Sequence, residues 1–509
     1  METKSGVPIM ILLSSSKLSI LSESLSKVTL SDKLASINSN IICIFISSAN
    51  AEKLYNKRIL VRVGSWDVNS YFPTGHCIDI LGNVGELAVE TKAILHQGNI
   101  SEIPFSSLSL NELPNENYSI PADEFENRLD LRFNNVFSID PPSCVDIDDT
   151  LSLRYLPNGN YHVGVHIADV SHFVKPNSYL DREAQKRCTT VYMINKRIDM
   201  LPNLLSSDLC SLRSGLDRLT FSIFWEITPA GEIVSTNFHK SIIHSVAALD
   251  YKQAQELIDK NDESVIGVRL RDLMKISKIW RKARQNRGAL ELRSVQLEFE
   301  FDQDSYASIK TFHNHEIMDT NNLIEEFMLQ ANISVSQKLL ECFPQCTLLR
   351  CHPDAIDNRL LELQTLLKNL GVTFKCSNSK ELTESLDYIT KKWPHLDHIV
   401  RQITVFCMNR AKYISTTCVK DPTKYYHYAL ATTSYTHFTS PIRRYADIIV
   451  HRLLAAALQI ASLPRTLAQQ LETMTKRMNQ KHEAANVHLF AMPFTYYFNT
   501  VAHDKNFYN

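Results

Sequence analysis

The stretch Ile139-Asp140-Pro141-Pro142-Ser143-Cys144-Val145-Asp146-Ile147-Asp148-Asp149-Thr150 decides how the rest of the chain is read. It sets Asp140, Asp146, Asp148 and Asp149 close together among Ile, Val, Cys and Pro rather than among lysines. A solvated acidic patch would carry more polar neighbours. Asp140 precedes a proline, which pushes it towards extended backbone. If the following stretch is extended too, Asp146 and Asp148 share one face and Asp149 points the other way. Four clustered carboxylates repel one another, so a divalent cation is their natural counter-ion. Hard oxygen ligands without a Cys–His pairing favour Mg²⁺, with Mn²⁺ as a substitute, over zinc. The spacing is not that of an EF-hand loop. An acidic turn or helix cap is the alternative.

Working outward, Tyr161-His162-Val163-Gly164-Val165-His166-Ile167 alternates like a half-buried strand. Asn322 to Leu340 and Pro441 to Ile460 have helical patterns, so residues 131–485 are expected to form one α/β (α+β) domain. Upstream, Arg58-Ile59-Leu60-Val61-Arg62-Val63-Gly64 interleaves arginines with aliphatic residues, and Leu81-Gly82-Asn83-Val84-Gly85 looks like a turn between strands. A small β-barrel of the OB type over residues 41–113 fits. Pro114, Pro121 and Asp123-Glu124-Phe125-Glu126 mark residues 114–130 as a linker. Residues 1–40 hold eleven serines and are expected to be a partly ordered leader, with a weak signal peptide as the minor alternative.

The composition narrows the function. At 509 residues, 44% apolar and 21% charged, the chain is an ordinary globular protein of several domains. Lys+Arg number 54 against 55 Asp+Glu, which excludes a globally cationic nucleic-acid binder but not a local basic channel. Glycine is scarce, at 13, and no P-loop or dinucleotide fingerprint occurs, so no nucleotide cofactor is expected. No apolar run is long enough to span a bilayer, and no membrane partner is expected. Eleven scattered cysteines suit reduced thiols inside a cell. The loose cluster Cys342, Cys346, Cys351 and His352 reads as buried small hydrophobes rather than a zinc site.

A second constellation runs Tyr435-Thr436-His437-Phe438-Thr439-Ser440-Pro441-Ile442-Arg443-Arg444-Tyr445-Ala446-Asp447. Ser440 followed by Pro441 predicts a helix start. Two arginines in a first turn oppose the helix dipole, and an anionic ligand would resolve that conflict. Arginines paired with Asp447 are the alternative. The helix carrying Glu325, Glu326 and Asn332 is apolar over most of its surface, and a buried glutamate there needs a partner. The run Arg281-Lys282-Ala283-Arg284-Gln285-Asn286-Arg287 could lie along a phosphate backbone but reads better as a solvated helix face.

Together these motifs resemble the ribonuclease II (RNB) family. The match is carried by Ile139-Asp140-Pro141-Pro142 through Asp149, Gly164 to Val170, Tyr192 with Lys196 to Pro202, Glu325 to Ser334, and His437 to Tyr445. It is nearest to the exosome-associated catalytic members and covers roughly residues 55 to 490. The resemblance implies a processive 3′→5′ exoribonuclease that threads single-stranded RNA into a channel and releases nucleoside 5′-monophosphates. It gives Asp140, Asp146 and Asp149 the role of metal ligands, with Asp148 the essential catalytic carboxylate in the same site. Two Mg²⁺ ions about 4 Å apart would serve such a displacement. It gives Arg443 the scissile phosphate, with Arg444 as its neighbour, and leaves open whether Glu325 or Glu326 is in the active site. Tyr192 is expected to stack on the 3′-terminal nucleotide, and Arg197, Asn332, His437 and Ser440 to contact RNA. Exosome core subunits are implied partners, and nucleus or cytoplasm the implied location. Family members also carry a PIN domain, a further cold-shock barrel and a C-terminal OB barrel. Residues 486–509 are expected to open that last barrel, making the chain a fragment or a reduced member. A catalytically silent RNA-binding homologue is the competing reading.

Overall fold

The computed structural model describes residues 8–11, 42–46 and 51–503, apart from 69, 71, 116, 143, 194–195, 292–296, 303–304, 315–316, 356 and 464–466. The expected leader lies almost wholly outside the described residues. The chain divides into two compact units, Met1–Ser101 with Asn486–Asn509, and Glu102–Ala485.

In the first unit, β1 (Pro8–Ile11), β2 (Ile42–Ile46), β3 (Lys57–Val63) and β4 (Thr74–Asn83) form a sheet in the order β1-β2-β4-β3. Its small core gathers Ile44, Ile46, Ile59, Val61, Val63 and Cys77. The turn expected between two strands leads instead into helix α1 (Leu87–Gly98). Gly82 (φ 139°) and Gly85 (φ 92°) supply its left-handed backbone.

The second unit is built on a closed barrel in the order β10-β11-β5-β6-β7. Its strands are β5 (Leu129–Asp140), β6 (Asp149–Tyr155), β7 (Tyr161–Ala168), β10 (Asp217–Ile227) and β11 (Ile233–Asp250); two short strands, β8 (Val191–Tyr192) and β9 (Arg197–Ile198), pair outside it. All barrel pairings are antiparallel except β5 with β11. Closure buries both faces of β7, which the alternation had suggested was half exposed. Val163, Val165 and Ile167 fill one side. On the other, His166 sits fully buried between the hydroxyls of Ser152 (2.9 Å) and Ser222 (2.6 Å). Satisfied in this way, a buried imidazole is tolerable.

Around the barrel run α2 (Tyr179–Arg187), α3 (Tyr251–Asp259), α4 (Val265–Asn286) and α5 (Asp319–Cys342). A satellite core joins α6 (Asp357–Asn369), α7 (Ser379–Lys392) and α8 (Pro394–Cys407), and α9 (Tyr445–Ala457) and α10 (Leu467–His503) follow. Residues 486–503, expected to open a barrel, continue α10 as helix. The residues expected to be a linker are docked: Arg128 pairs with Asp169 at 2.9 Å, and just upstream Glu112 accepts the amides of Tyr179 and Leu180. Of the cysteine cluster, Cys351 is buried as expected but Cys342 is exposed. The basic run ends α4 as a partly paired face, because Arg281 meets Glu291 at 2.8 Å and Arg284 turns inward to Glu326. Among the described residues no helix is long and apolar enough to cross a membrane.

Candidate active site

The acidic stretch leaves the barrel at the end of β5 and re-enters it at the start of β6, so one short excursion delivers all four aspartates. Asp140 closes β5 opposite Asp250 of β11, and Asp149 opens β6 opposite Ile167. Burial, with Asp146 nearby, pushes the Asp140 carboxyl up to about 6, and its Oδ2 is buried without a hydrogen-bond partner. Burial and the repulsion of Asp140 push Asp149 up to about 8. Two carboxylates that cannot share a site while ionised, one with an orphaned oxygen, are chemically suited to a hard divalent cation. Among the described residues, no three His, Cys, Asp or Glu side chains converge as a ready-made metal site.

Asp146 and Asp148 face different partners. Asp146 accepts the Tyr192 hydroxyl (2.8 Å) and the Arg197 guanidinium (2.8 Å). Arg197 is in turn held by Asp199 (2.7 Å) and Ser207 (3.0 Å). Ser207 stands on a single π-helical turn, Leu204–Leu209, a geometry found often at functional sites. Asp148 is 5% exposed; its Oδ1 accepts the Ile442 amide at 2.9 Å and its Oδ2 lies 3.7 Å from Arg443 Nε. Burial holds its carboxyl well above the usual carboxylate range, with Arg443 opposing that shift.

The predicted helix start at Ser440–Pro441 falls four residues early. Helix α9 begins at Tyr445, and Arg444 before it is extended (φ −133°, ψ 124°). Tertiary bonds claim the backbone that a helix would have used. Ser440 donates its amide to Asp447, Ile442 donates to Asp148, and the Arg443 carbonyl accepts the Thr190 amide. The two arginines therefore precede the helix and do not contest its dipole. They also part company: Arg443 is half exposed beside Asp148, while Arg444 forms a bidentate pair with fully buried Asp447 at 2.8 and 2.7 Å.

The remaining expected residues divide between surface and interior. The Tyr192 ring is 42% exposed, so one face is free to stack although its hydroxyl is engaged. Asn332 and Ser440 are buried, whereas His437 is only partly buried. Asn332 accepts the Phe438 amide (2.7 Å) and donates to Tyr435 (3.0 Å), bracing the loop that carries the arginines. His437 is held neutral by burial and meets the Tyr413 hydroxyl at 2.7 Å, and Ser440 Oγ accepts from Arg443 (3.3 Å). Glu326 is buried against Arg284, whereas Glu325 is half exposed. Sequence reasoning missed Tyr251, whose hydroxyl burial and the charges of Asp149 and Asp140 make hard to ionise. Its one signal is Asp250 beside it, which means nothing until β11 is paired with β5.

A barrel excursion carrying aspartates, faced by an arginine turn from near the end of the unit, matches the family model described as the RNB domain over residues 128–460. The chain belongs to the RNB family. A second model, the Dis3-like cold-shock domain 2, matches residues 38–99, which identifies the first-unit sheet as OB/cold-shock in type. Among curated relatives, exosome complex exonuclease RRP44 homolog A of Arabidopsis thaliana is 43% identical over 451 residues, covering 87% of this chain and 48% of its own. Exosome complex exonuclease RRP44 of Homo sapiens is 43% identical, with 87% and 46% covered. This RNB chain thus spans about half the length of the curated relatives it matches. Among solved structures, Mycoplasma genitalium RNase R in complex with ribose-methylated single-stranded RNA has a TM-score of 0.77 at 22% identity, covering 91% of this chain and 73% of that one. Yeast Ssd1, a pseudonuclease, has a TM-score of 0.72 at 24% identity, with 89% and 56% covered. Those two likenesses concern the fold alone.

Proposed function

We propose that this RNB chain is a divalent-metal-dependent 3′→5′ exoribonuclease that hydrolyses single-stranded RNA to nucleoside 5′-monophosphates and acts in RNA decay or processing. The observation that carries the reading is the pairing of Asp148 with the Ile442 amide and Arg443, which puts a carboxylate, an amide donor and a half-exposed guanidinium beside the other aspartates. Its relatives' exonuclease names support the reaction class.

Asp140, Asp146, Asp148 and Asp149 would hold the metal. Mg²⁺ or Mn²⁺, when bound there, supplies Lewis-acid neutralisation of phosphoryl charge and acidifies water. The protein's own part is positioning and electrostatics. Arg443 presents its guanidinium where charge develops on the phosphoryl oxygens, the role arginine serves in phosphoryl transfer. Arg197 orients Asp146 while meeting part of its charge. The exposed Tyr192 ring stacks on the terminal base, worth about 1–3 kcal/mol and indifferent to sequence. Glu326 and Arg444 act behind this layer by holding helix and turn. Exosome core subunits as partners follow from the relatives' names, and nucleus or cytoplasm as location is what the family resemblance implies; both are part of the proposal.

The test is a time course on 5′-labelled single-stranded RNA, with Mg²⁺, with Mn²⁺ and with EDTA, beside a matched DNA strand. Metal-dependent conversion to one very short labelled product, with DNA spared, is expected. Binding without shortening would instead favour a silent homologue.

A further inference from the structure

We infer that Asp447 is a positioning residue: a fully buried carboxylate that sets the Ser440–Arg444 turn so that its two outward groups, the Ile442 amide and the Arg443 guanidinium, both meet Asp148. The inference rests on the exoribonuclease reading above. It names a residue that touches neither substrate nor metal.

Asp447 is 0% exposed and accepts three donors: the Ser440 amide at 2.8 Å, Arg444 Nε at 2.8 Å and Arg444 Nη2 at 2.7 Å. These bonds join the first and last residues of the turn, leaving little freedom between them. This carboxylate, in the first turn of α9, adds its bonds to the one helix-type bond the turn keeps, from the Arg444 amide to the Ser440 carbonyl (3.1 Å). The other edge of the turn is fastened too. The Arg443 carbonyl accepts the Thr190 amide (3.0 Å) and the Thr189 hydroxyl (3.1 Å), and the Tyr445 amide donates to the Cys188 carbonyl (2.9 Å). That second strip of chain leads to Tyr192, whose hydroxyl rests on Asp146.

The result is a closed circuit, from Asp148 through the turn, across to residues 188–192 and back to Asp146. Asp447 is its buried anchor. Arg444 is the natural partner for this task, because its planar fork satisfies both oxygens of Asp447 while Ser440 uses the remaining capacity. A lysine at 444 would occupy one oxygen and leave the turn hinged. Positional error of about 1 Å in a catalytic group costs about 100-fold in rate, so loosening the anchor should be read in turnover before it is read in binding.

The experiment compares wild type, Asp447→Asn, Arg443→Ala and the double variant, each measured for single-turnover RNA hydrolysis, RNA affinity without metal and thermal midpoint. Asp447→Asn keeps an acceptor for the Ser440 amide but loses the charge that grips Arg444. The expected outcome is a fall of about 100-fold in rate with affinity changed less than threefold. In the Arg443→Ala background the same change should cost at least tenfold less than it does alone, since of the two groups being positioned only the Ile442 amide remains. Equal losses in the two backgrounds, or a rate loss that follows a collapse of the thermal midpoint, would overturn the inference in favour of a merely structural aspartate. A milder change, Arg444→Lys, should reproduce the rate loss with the fold intact; full activity there would also overturn it. Inactive wild-type protein would count against the exoribonuclease reading itself, so the two failures are distinguishable.

Discussion

Asp148→Asn isolates the charge on which the proposed chemistry turns. The amide oxygen can go on accepting the Ile442 amide at 2.9 Å, so the local geometry is kept. What disappears is the negative charge 3.7 Å from Arg443 Nε. In a medium of effective dielectric about 20, a pair at that distance attracts by about 4 kcal/mol. Arg443 is 45% exposed, and solvent screening of that order removes roughly half, leaving about 2 kcal/mol. That corresponds to a loss of about 30-fold in the aligned arginine. Losing an electrostatic group at the reacting centre costs about 100- to 1,000-fold again. We therefore expect single-turnover hydrolysis of 5′-labelled RNA to fall by about 3 × 10³- to 3 × 10⁴-fold. The fold should not suffer. Burial already disfavours the ionised carboxyl, so removing the charge should leave the thermal midpoint unchanged or raised. Filter binding without metal should be unaltered. A variant hydrolysing RNA within threefold of wild type would refute the reasoning, and so would one that loses its rate only by unfolding.

Glu326→Ala leaves buried Arg284, 7% exposed, with only a 3.5 Å contact to half-exposed Glu325. We expect a loss of about 3–5 kcal/mol by chemical denaturation, whereas half-exposed Glu325→Ala should cost under about 0.5 kcal/mol; similar values for the two would contradict the buried pairing. Tyr192→Phe keeps the ring and removes only the hydrogen bond to Asp146. Its limit product on a denaturing gel should match wild type, while Tyr192→Ala should shift it, and a shift in both would show that the hydroxyl, not the ring, sets the end-point. Stability should also fall in acid because of His166. Burial pushes its imidazole down to about 3, against about 6.5 in the unfolded chain. The unfolded state takes up the proton first, so stability is whole above pH 6.5 and is lost as pH falls towards 3. At pH 5 this one residue should cost about 2 kcal/mol, and urea titrations of wild type and His166→Asn that lose stability equally between pH 7.5 and 5 would count against it.

Much of the site was legible because its chemistry is local. The four aspartates lie on one short excursion, so their clustering is written in consecutive residues. Arg443 stood out as an anion site in the Ser-Pro-Ile-Arg-Arg pattern, while Tyr192 and the role of Arg443 on the scissile phosphate came from the family resemblance. The misreadings share one cause, tertiary partners overriding a local signal. Ser440–Pro441 is a good helix start in isolation, yet Asp447 and Asp148 take the turn's amides and delay the helix to Tyr445. His166 sits in an alternating strand, but barrel closure buries the face that alternation marks as open. Asn332 belongs to a family motif, and only its burial and its bond to the Phe438 amide show that it also braces the loop from within. Tyr251 depends on the pairing of β5 with β11, two strands joined in parallel across more than a hundred residues.

The contact between Asp148 and Ile442 joins residues 294 positions apart. At a synthesis rate of about 5–20 residues per second, the aspartates emerge from a ribosome roughly 15–60 s before the turn that completes them. Through that interval the nascent chain can close its barrel, because β5 to β11 end at Asp250, yet it has no arginine to set beside Asp148. The proposed nuclease, translated along an RNA template, would thus carry its barrel and carboxylates past the message in an unarmed state, and gain its arginine only once most of the second unit has been made.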